Sequence, residues 1–321
     1  AGATVESPGG TGLSLREALG LANAAAGVQS ITFEPGLTIV LGAGLGVTDG
    51  VEIRGNGTAL ACAAVGGSSD CLSLAAAAGS TVIAGLTLSG ARNNPIRIAS
   101  GSGYEIRGCV LDANGDALEI AVAAADVTLR GCRITGSGTD GIAAMGSGIT
   151  IVDSTIVDSV GRGIYLGANA SGALLVGNLI VRGDRGILVG NGVSGVILRH
   201  NTLVYQTGDG LVVGSGNAAE VTNNVFAFAD GYGLIATDAS VDVRDYNAYY
   251  GNGDADCSGC TLDAHAVTAA PAFADAPADD FTLLDGSPLV DAGTPTGEDR
   301  NGARAGLFDG LAPDIGYWES P

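Results

Sequence analysis

Between Tyr104 and Ser240 the sequence says nearly the same thing six times. Each pass ends in a short apolar strand: Ala117-Leu118-Glu119-Ile120, Gly141-Ile142-Ala143-Ala144, Gly163-Ile164-Tyr165-Leu166, Gly186-Ile187-Leu188-Val189, Gly210-Leu211-Val212-Val213 and Gly233-Leu234-Ile235-Ala236. Their first residues lie 24, 22, 23, 24 and 23 positions apart. A second register, about eight residues earlier, falls at Cys109, Cys132, Ser154, Asn178, Asn201 and Asn224, spaced 23, 22, 24, 23 and 23. Two registers keeping one period require one supersecondary unit stacked on itself. Within a pass, apolar residues alternate, as in Val127 and Leu129, Ile149 and Ile151, or Val196 and Leu198. Gly, Asp, Asn or Ser then breaks the run before a helix of ten residues could form. A repeat of about 23 residues split into three strands and three turns is one coil of an all-β, three-sheet solenoid, the right-handed parallel β-helix. Coils stack about 4.8 Å apart, so residues one period apart sit above each other. Asn178, Asn201 and Asn224 then become an inward ladder whose amides satisfy the polar groups of a buried bend.

Only 15% of the 321 residues are charged, and the 14 basic residues, all Arg, face 34 acidic ones for a net charge of −20. That balance excludes a basic nucleic-acid footprint and disfavours anionic membranes. No apolar run approaches the ~18 residues of a membrane span. Yet 46% of residues are hydrophobic and mean hydropathy is +0.34. Either the core is large, as a solenoid core is, or partners cover some outer faces.

The chain starts at Ala1 without Met, and its six Cys form three local pairs. Cys62 and Cys71 bracket a Gly/Ser loop, Cys257 and Cys260 close a Cys-Ser-Gly-Cys turn, and Cys109 and Cys132 hold one ladder position on adjacent coils. Adjacent coils fall within the ~4.4–6.8 Å Cα separation of a disulfide. Three disulfides are expected, and with them a processed protein exported to an oxidising space, extracellular or at the cell surface. The alternative, zinc on Cys257, Cys260 and His265, lacks a second pair of ligands.

In chain order, Ala3-Thr4-Val5-Glu6 offers a short strand before a Pro-Gly-Gly break. Ser14 to Ala26 predicts the one helix: Ser14 and Glu17 form a capping box, and Leu15, Ala18, Leu19 and Ala22 repeat at helical spacing. Laid across the first coil, it covers unpaired strand edges. Ile31 to Phe33, Thr38 to Leu41 and Val51 to Ile53 are entering strands. The expected layout is one continuous domain: an N-terminal cap over 1–57, coils over 58–260 and a closing segment over 261–321.

Ser14-Leu15-Arg16-Glu17-Ala18-Leu19-Gly20-Leu21-Ala22-Asn23, followed by Ile31-Thr32-Phe33 and Pro35-Gly36-Leu37, resembles the N-terminal module of bacterial exported β-helix proteins of the pectate-lyase-like fold. That group carries a Cys-Ser-Leu-Arg-Glu…Ala-Asn motif, and Leu13 stands here in place of its Cys. The C-terminus is similar to the same group in Asp280-Phe281-Thr282-Leu283, Gly286-Ser287-Pro288-Leu289-Val290-Asp291-Ala292-Gly293 and Pro313-Asp314-Ile315-Gly316-Tyr317-Trp318-Glu319. The resemblance implies the fold, export, and a C-terminal segment that closes the solenoid. It implies little chemistry.

In polysaccharide lyases and hydrolases of this fold, substrate lies along one stacked sheet, which the resemblance places on the Gly-Ile/Leu strands. Residues preceding those strands stack as Asp116, Asp140, Arg162, Arg185, Asp209 and Tyr232. Outward residues on them are Glu119, Ala143, Tyr165, Leu188, Val212 and Ile235. Asp116, Glu119 and Asp140 offer hard oxygen ligands for Ca²⁺, with Asp299 in an acidic Gly-rich loop a weaker candidate. Arg162 or Arg185, beside Asp140, could act on or pair with a uronate. Against an enzyme, Asp and Arg before Gly are ordinary turn residues, and stacked opposite charges pair without substrate. A Lys-dependent lyase is excluded because no Lys is present. The three carboxylates that a paired-Asp hydrolase needs at one coil level cannot be assembled, and Leu188, Val212 and Ile235 make an apolar stripe where sugar-binding groups belong. Among smaller features, Tyr205, Phe226, Phe228 and Tyr232 are candidate sugar-stacking rings, with Phe226 read as core. His200 reads as an outward, solvated turn residue. Asn56-Gly57-Thr58 and Asn169-Ala170-Ser171 match glycan acceptors.

The sequence therefore favours a structural or adhesive surface solenoid, self-associating into a filament, sheath or layer, without an evident catalytic site. The alternatives are a polysaccharide lyase-type enzyme and a non-catalytic glycan-binding module acting on acidic polysaccharide.

Overall fold

The computed structural model describes residues 13–66, 69–76, 80–113, 115–167, 169–301 and 308–320, so the strand expected over Ala3-Thr4-Val5-Glu6 lies outside the described residues. The chain divides into two compact units: unit 1, Ala1–Thr150 with Ser159–Gly161, and unit 2, Ile151–Asp158 with Arg162–Pro321. Each is a stack of parallel β-coils.

Unit 1 opens with the helix Leu15–Ala24. The Ser14 hydroxyl accepts from Glu17 N–H at 3.3 Å and the Glu17 carboxylate accepts from Ser14 N–H at 2.9 Å, closing the capping box. Its buried stripe is Leu15, Ala18, Leu19 and Ala22. Arg16 donates to the carbonyls of Ala43 and Gly44, and Asn23 bonds Gly46 O and Thr48 N–H. These bonds fix the helix over the first coil, whose strand edges it covers.

Three sheets follow. In sheet 1, Leu45, Leu72, Ile96, Leu118 and Ile142 stack in register, each at most 3% exposed. Sheet 2 stacks Gln29–Thr32, Val51–Arg54, Thr81–Ala84, residues 104–107 and residues 127–130. Sheet 3 stacks Thr38–Val40, Ala59–Ala61, Thr87–Ala91, Val110–Ala113 and Arg133–Thr135. Inward Leu and Ile fill the space between, each worth about 1.5–3 kcal/mol when fully buried.

Unit 2 repeats the plan. Its glycine column has a steric cause: a Cβ on Gly186 would come within 2.6 Å of Gly210 O, and one on Gly210 within 2.5 Å of Gly233 O. Its inward ladder forms as expected and runs one coil further. Asn178, Asn201 and Asn224 each donate both their backbone N–H and their side-chain amide to the Oδ1 of the next ladder residue at 2.9–3.1 Å, ending on Asn247.

At the same position in unit 1, Cys109 and Cys132 are buried thiols, which corrects the expected cross-coil disulfide. In-register stacking points both sulfurs the same way. Cys109 Sγ turns to the carbonyls of Ile83 and Arg107, and Cys132 Sγ to those of Ile106 and Arg130. Sulfur substitutes there for the amide of the asparagine ladder. The Cys62–Cys71 and Cys257–Cys260 disulfides form. The latter removes the zinc alternative, and His265 instead pairs with Asp245 at 2.9 Å and stacks on Tyr246.

The C-terminal segment departs from the closure its resemblance implied. Val267 adds one parallel bridge to Ala248 of the last coil. The chain then forms a hairpin, Phe273–Asp275 with Asp280–Leu283, and lies on the outside of sheet 3 of unit 2. Phe281, Leu289 and Ile315 pack there on Val157, Leu179, Val181, Val204, Val225, Ala227 and Ala248. A side face is covered, and the high hydropathy has an intramolecular cause in this unit.

Candidate functional site

On the outer face of sheet 1 in unit 1, Ser73, Arg97, Glu119 and Ala143 form one column. Strand pleating points these residues out while Leu72, Ile96 and Leu118 point in. The preceding turns add Asp70, Asn93, Asn94, Asp116 and Asp140. Arg97 Nε pairs with the Glu119 carboxylate at 3.1 Å, with side-chain exposures of 35% and 21%. Asn94 Nδ2 donates to the same carboxylate at 2.7 Å, and Asn93 Nδ2 to Asp70 at 2.7 Å. Burial raises the Asp70 pKa, against which Asn93 and Arg97 stabilise its charge. The result is a polar row in which the Arg97 guanidinium pairs with Glu119 while the amides of Asn93 and Asn94 hold the carboxylates of Asp70 and Glu119.

The expected site residues divide between the units. Asp116 accepts from the Thr139 hydroxyl and from Asp140 N–H, which is turn chemistry. Glu119 serves Arg97. Among the described residues no group of three His, Cys, Asp or Glu is arranged to hold a metal ion. In unit 2, Arg162 lies 4.1 Å over the Tyr165 ring. Arg185 pairs with Asp209 at 3.3 Å and Asp184 at 3.9 Å, as a charge ladder requires. Asp209 also accepts from Tyr232 N–H. Leu188 and Val212 stack outward in register, as do Val212 and Ile235, and all three are partly exposed.

Three other expected roles change or resolve. His200 is fully buried, correcting the solvated reading. Its Nδ1 donates to Asp314 O at 3.2 Å, while Nε2 accepts from Asn223 Nδ2 at 3.0 Å. Burial and the nearby Arg300 and Arg199 hold its pKa down at about 3, so the ring is neutral. Tyr205 and Phe228 stack at 5.0 Å, with Phe281 6.1 Å from Tyr205, so they serve the C-terminal packing and not a sugar platform. Phe226 is core, against Tyr249. The acidic loop is structural too: Asp291 accepts from Leu311 and Ala312 N–H, and Glu298 pairs with Arg199 at 2.6 Å.

Sequence reasoning missed Asp70, Asn93, Asn94 and Arg97. They precede the six clear repeats, on coils whose Gly-Ile signature is absent. The available signal was the step of 22 residues from Arg97 to Glu119, one period before the first repeat.

Among solved structures, pectate lyase Pel9A is similar over 96% of this chain and 91% of its own, at 16% identity and a TM-score of 0.66. The periplasmic alginate epimerase AlgG covers 79% of this chain and 81% of its own at 11% identity and a TM-score of 0.39. The Dettilon tailspike protein covers 76% and 62% at 16% identity and a TM-score of 0.40. No curated protein matches. The family described as right handed beta helix region matches residues 39–203 and 94–248. Those matches span well over half of the sequence, and the chain belongs to the right-handed β-helix family.

Proposed function

We propose that this protein binds polysaccharide on the polar row of unit 1, as an exported glycan-binding solenoid without a covalent step. The observation that carries this is Arg97 paired with Glu119, which Asn94 also holds, with Asp70 in electrostatic reach, on the outward column of a stacked sheet. Planar guanidinium, amide and carboxylate groups on rigid strands suit sugar hydroxyls and a uronate carboxyl. The pectate lyase likeness supports a sugar polymer as partner. The described residues include no helix long and apolar enough to cross a membrane.

Titration calorimetry with polygalacturonate and a neutral glucan, with Ca²⁺ or a chelator as separate arms, tests the proposal. Arg97→Ala is expected to weaken uronate binding about tenfold, the loss of one charge-assisted pair. Wild-type indifference to every glycan sinks the proposal. Growth of ultraviolet absorbance with substrate, lost in Arg162→Ala or Arg185→Ala, would replace binding with lyase chemistry. Self-association into a filament, sheath or layer is a second reading, supported by the partly exposed Leu188, Val212 and Ile235 column of unit 2. Electron microscopy of native material tests it: a dispersed monomer at high concentration counts against it.

A further inference from the structure

We propose that a cavity of unit 2, between the Asp153 turn and the C-terminal segment, binds an amino sugar, with the sugar ring against Trp318 and its protonated amine toward Asp299 and Asp309. Asp153, Gly177, His200 and Asn223 follow one another at the ends of successive strands, one per coil, all left-handed. At His200 and Asn223 the segment is held by hydrogen bonds: Asn223 bonds Thr294 N–H and O, and His200 bonds Asp314 O. At Asp153 turn and segment instead enclose a cavity of about 450 Å³, whose walls include Asp299, Arg300, Asp309, Tyr317 and Trp318. That size lies in the range of small-ligand sites.

The wall holds polar atoms that the fold leaves unmet. Asp299 Oδ1 and Arg300 Nε are buried and have no hydrogen-bond partner, a costly condition and a rare one in a native chain. Arg300 is firmly seated. Its side chain is 6% exposed, Nη1 meets Asp153 at 3.5 Å and Nη2 donates to Tyr317 O at 2.6 Å. Gly177 makes room for it, since a Cβ there would come within 2.5 Å of Arg300 Nη1. Asp299 Oδ1 lacks a donor and Arg300 Nε an acceptor, and a ligand with N–H and hydroxyl groups supplies both. Trp318, the only tryptophan of the chain, is 42% exposed on the same wall, while the adjoining Tyr317 packs on the core. An indole face takes the apolar side of a sugar ring or a cation. Charge decides which sugar. Asp299 and Asp309 repel a uronate, and Arg300 is already engaged by Asp153, whereas a protonated amine is drawn to both carboxylates. A quaternary ammonium suits the indole but brings no donor for Asp299.

Because the chain has one tryptophan, its emission reports on this cavity. The test follows that emission while the full chain is titrated with a glucosamine tetramer, the N-acetylated tetramer, a galacturonate tetramer, choline and Ca²⁺. A saturable change is expected with the glucosamine tetramer, at an affinity about tenfold above that for the N-acetylated form, which lacks the charge. By calorimetry, Trp318→Ala and Asp309→Asn should each weaken glucosamine binding about tenfold. Leu311→Ala, at a 91% exposed residue outside the wall, should leave it unchanged. Circular dichroism melting reports whether the variants fold, and Asp309→Asn, at an exposed position, decides the matter if Trp318→Ala does not. No emission change with the glucosamine tetramer overturns the inference. So does an equal affinity for the N-acetylated form, a stronger response to galacturonate, a response to choline or Ca²⁺ matching that to the amino sugar, or unchanged affinity in Asp309→Asn.

Discussion

The two units share a coil but treat the outside of sheet 3 differently. In unit 1 the outward columns read Thr38, Ala59, Thr87, Val110, Arg133 and Val40, Ala61, Ser89, Asp112, Thr135. In unit 2 they read Thr155, Leu179, Thr202, Val225, Ala248 and Val157, Val181, Val204, Ala227, Tyr250. Small and polar residues can face water; the apolar set is covered by Phe281, Leu289 and Ile315. The turns change in step. Where unit 1 has left-handed Gly85, Gly108 and Gly131, unit 2 has left-handed Asp153, His200 and Asn223, and beyond sheet 3 Asp158, Arg182, Tyr205 and Phe228. A side chain in that conformation costs about 1–2 kcal/mol. Several of them are engaged with the C-terminal segment, so strain at the turn is offset by contact with the cover.

The largest test of this contrast is Phe281→Ala. It should cost about 3–5 kcal/mol in denaturant unfolding, as for a fully buried aromatic. Val110→Thr, on the bare face of unit 1, should stay within about 0.5 kcal/mol. A loss under about 1 kcal/mol for Phe281→Ala would mean that the segment only rests on unit 2 and does not complete its core.

Next come the two inward ladders. Asn201→Ala leaves Asn178 N–H and its amide without their shared acceptor and removes the bonds to Leu175 O and Asn224. At about 1–3 kcal/mol per orphaned buried group, a loss of about 2–4 kcal/mol is expected. Cys132→Ala in unit 1 removes only weak sulfur bonds and should cost about 1 kcal/mol. Equal losses would show that packing, not amide bonding, sets the ladder's strength.

The coil, the capping helix and the asparagine ladder were legible because each leaves a periodic mark at fixed spacing. The fate of Cys109 and Cys132 was not, because spacing gives proximity while side-chain direction decides bonding. His200 looked solvated because a turn residue beside an inward asparagine has no period of its own. Its ring nitrogens meet Thr296 and Asp314, distant in sequence. The apolar outward columns of sheet 3 in unit 2 were visible as Val, Leu and Ala, but a single coil cannot tell which chain covers them. Arg97 and its neighbours were hidden by irregular early coils, where the Gly-Ile mark fails although the register holds.

Acid and alkali should separate the cover from the coils. The His200 pKa falls from 6.5 to about 3 in the folded chain. The stability it contributes is present above 6.5 and is lost as pH falls toward 3. Glu319 goes the other way: burial, with Asp314 nearby, lifts it from 4.5 to about 7 against the backbone N–H groups of Asp314 and Asp309. Its contribution is present below 4.5 and lost as pH rises through 7. The two slopes oppose between about 4.5 and 6.5, where the unfolding midpoint should be flat, and it should decline on either side. Glu319→Gln should remove the alkaline decline and leave the acid one. A wild-type midpoint that climbs steadily to pH 8 would show that these groups do not govern the cover.

The smallest expected effect concerns Arg182, which donates to Asp158 at 2.6 Å and to both carboxylate oxygens of Asp279 at 2.5 and 2.8 Å. Its side chain is 38% exposed and its φ is +53°. Arg182→Ala loses the ion pairs but keeps the left-handed strain, so it should cost about 1 kcal/mol, less at high salt. Arg182→Gly loses the same pairs and relieves the strain, and should unfold within about 0.5 kcal/mol of wild type. If alanine and glycine cost the same, the turn is not strained, and the offset between turn and cover drawn for unit 2 fails at this residue. If glycine is the more stable by about 1 kcal/mol, the arginine is kept at that turn for its grip on the C-terminal segment, a grip the glycines of unit 1 do not need.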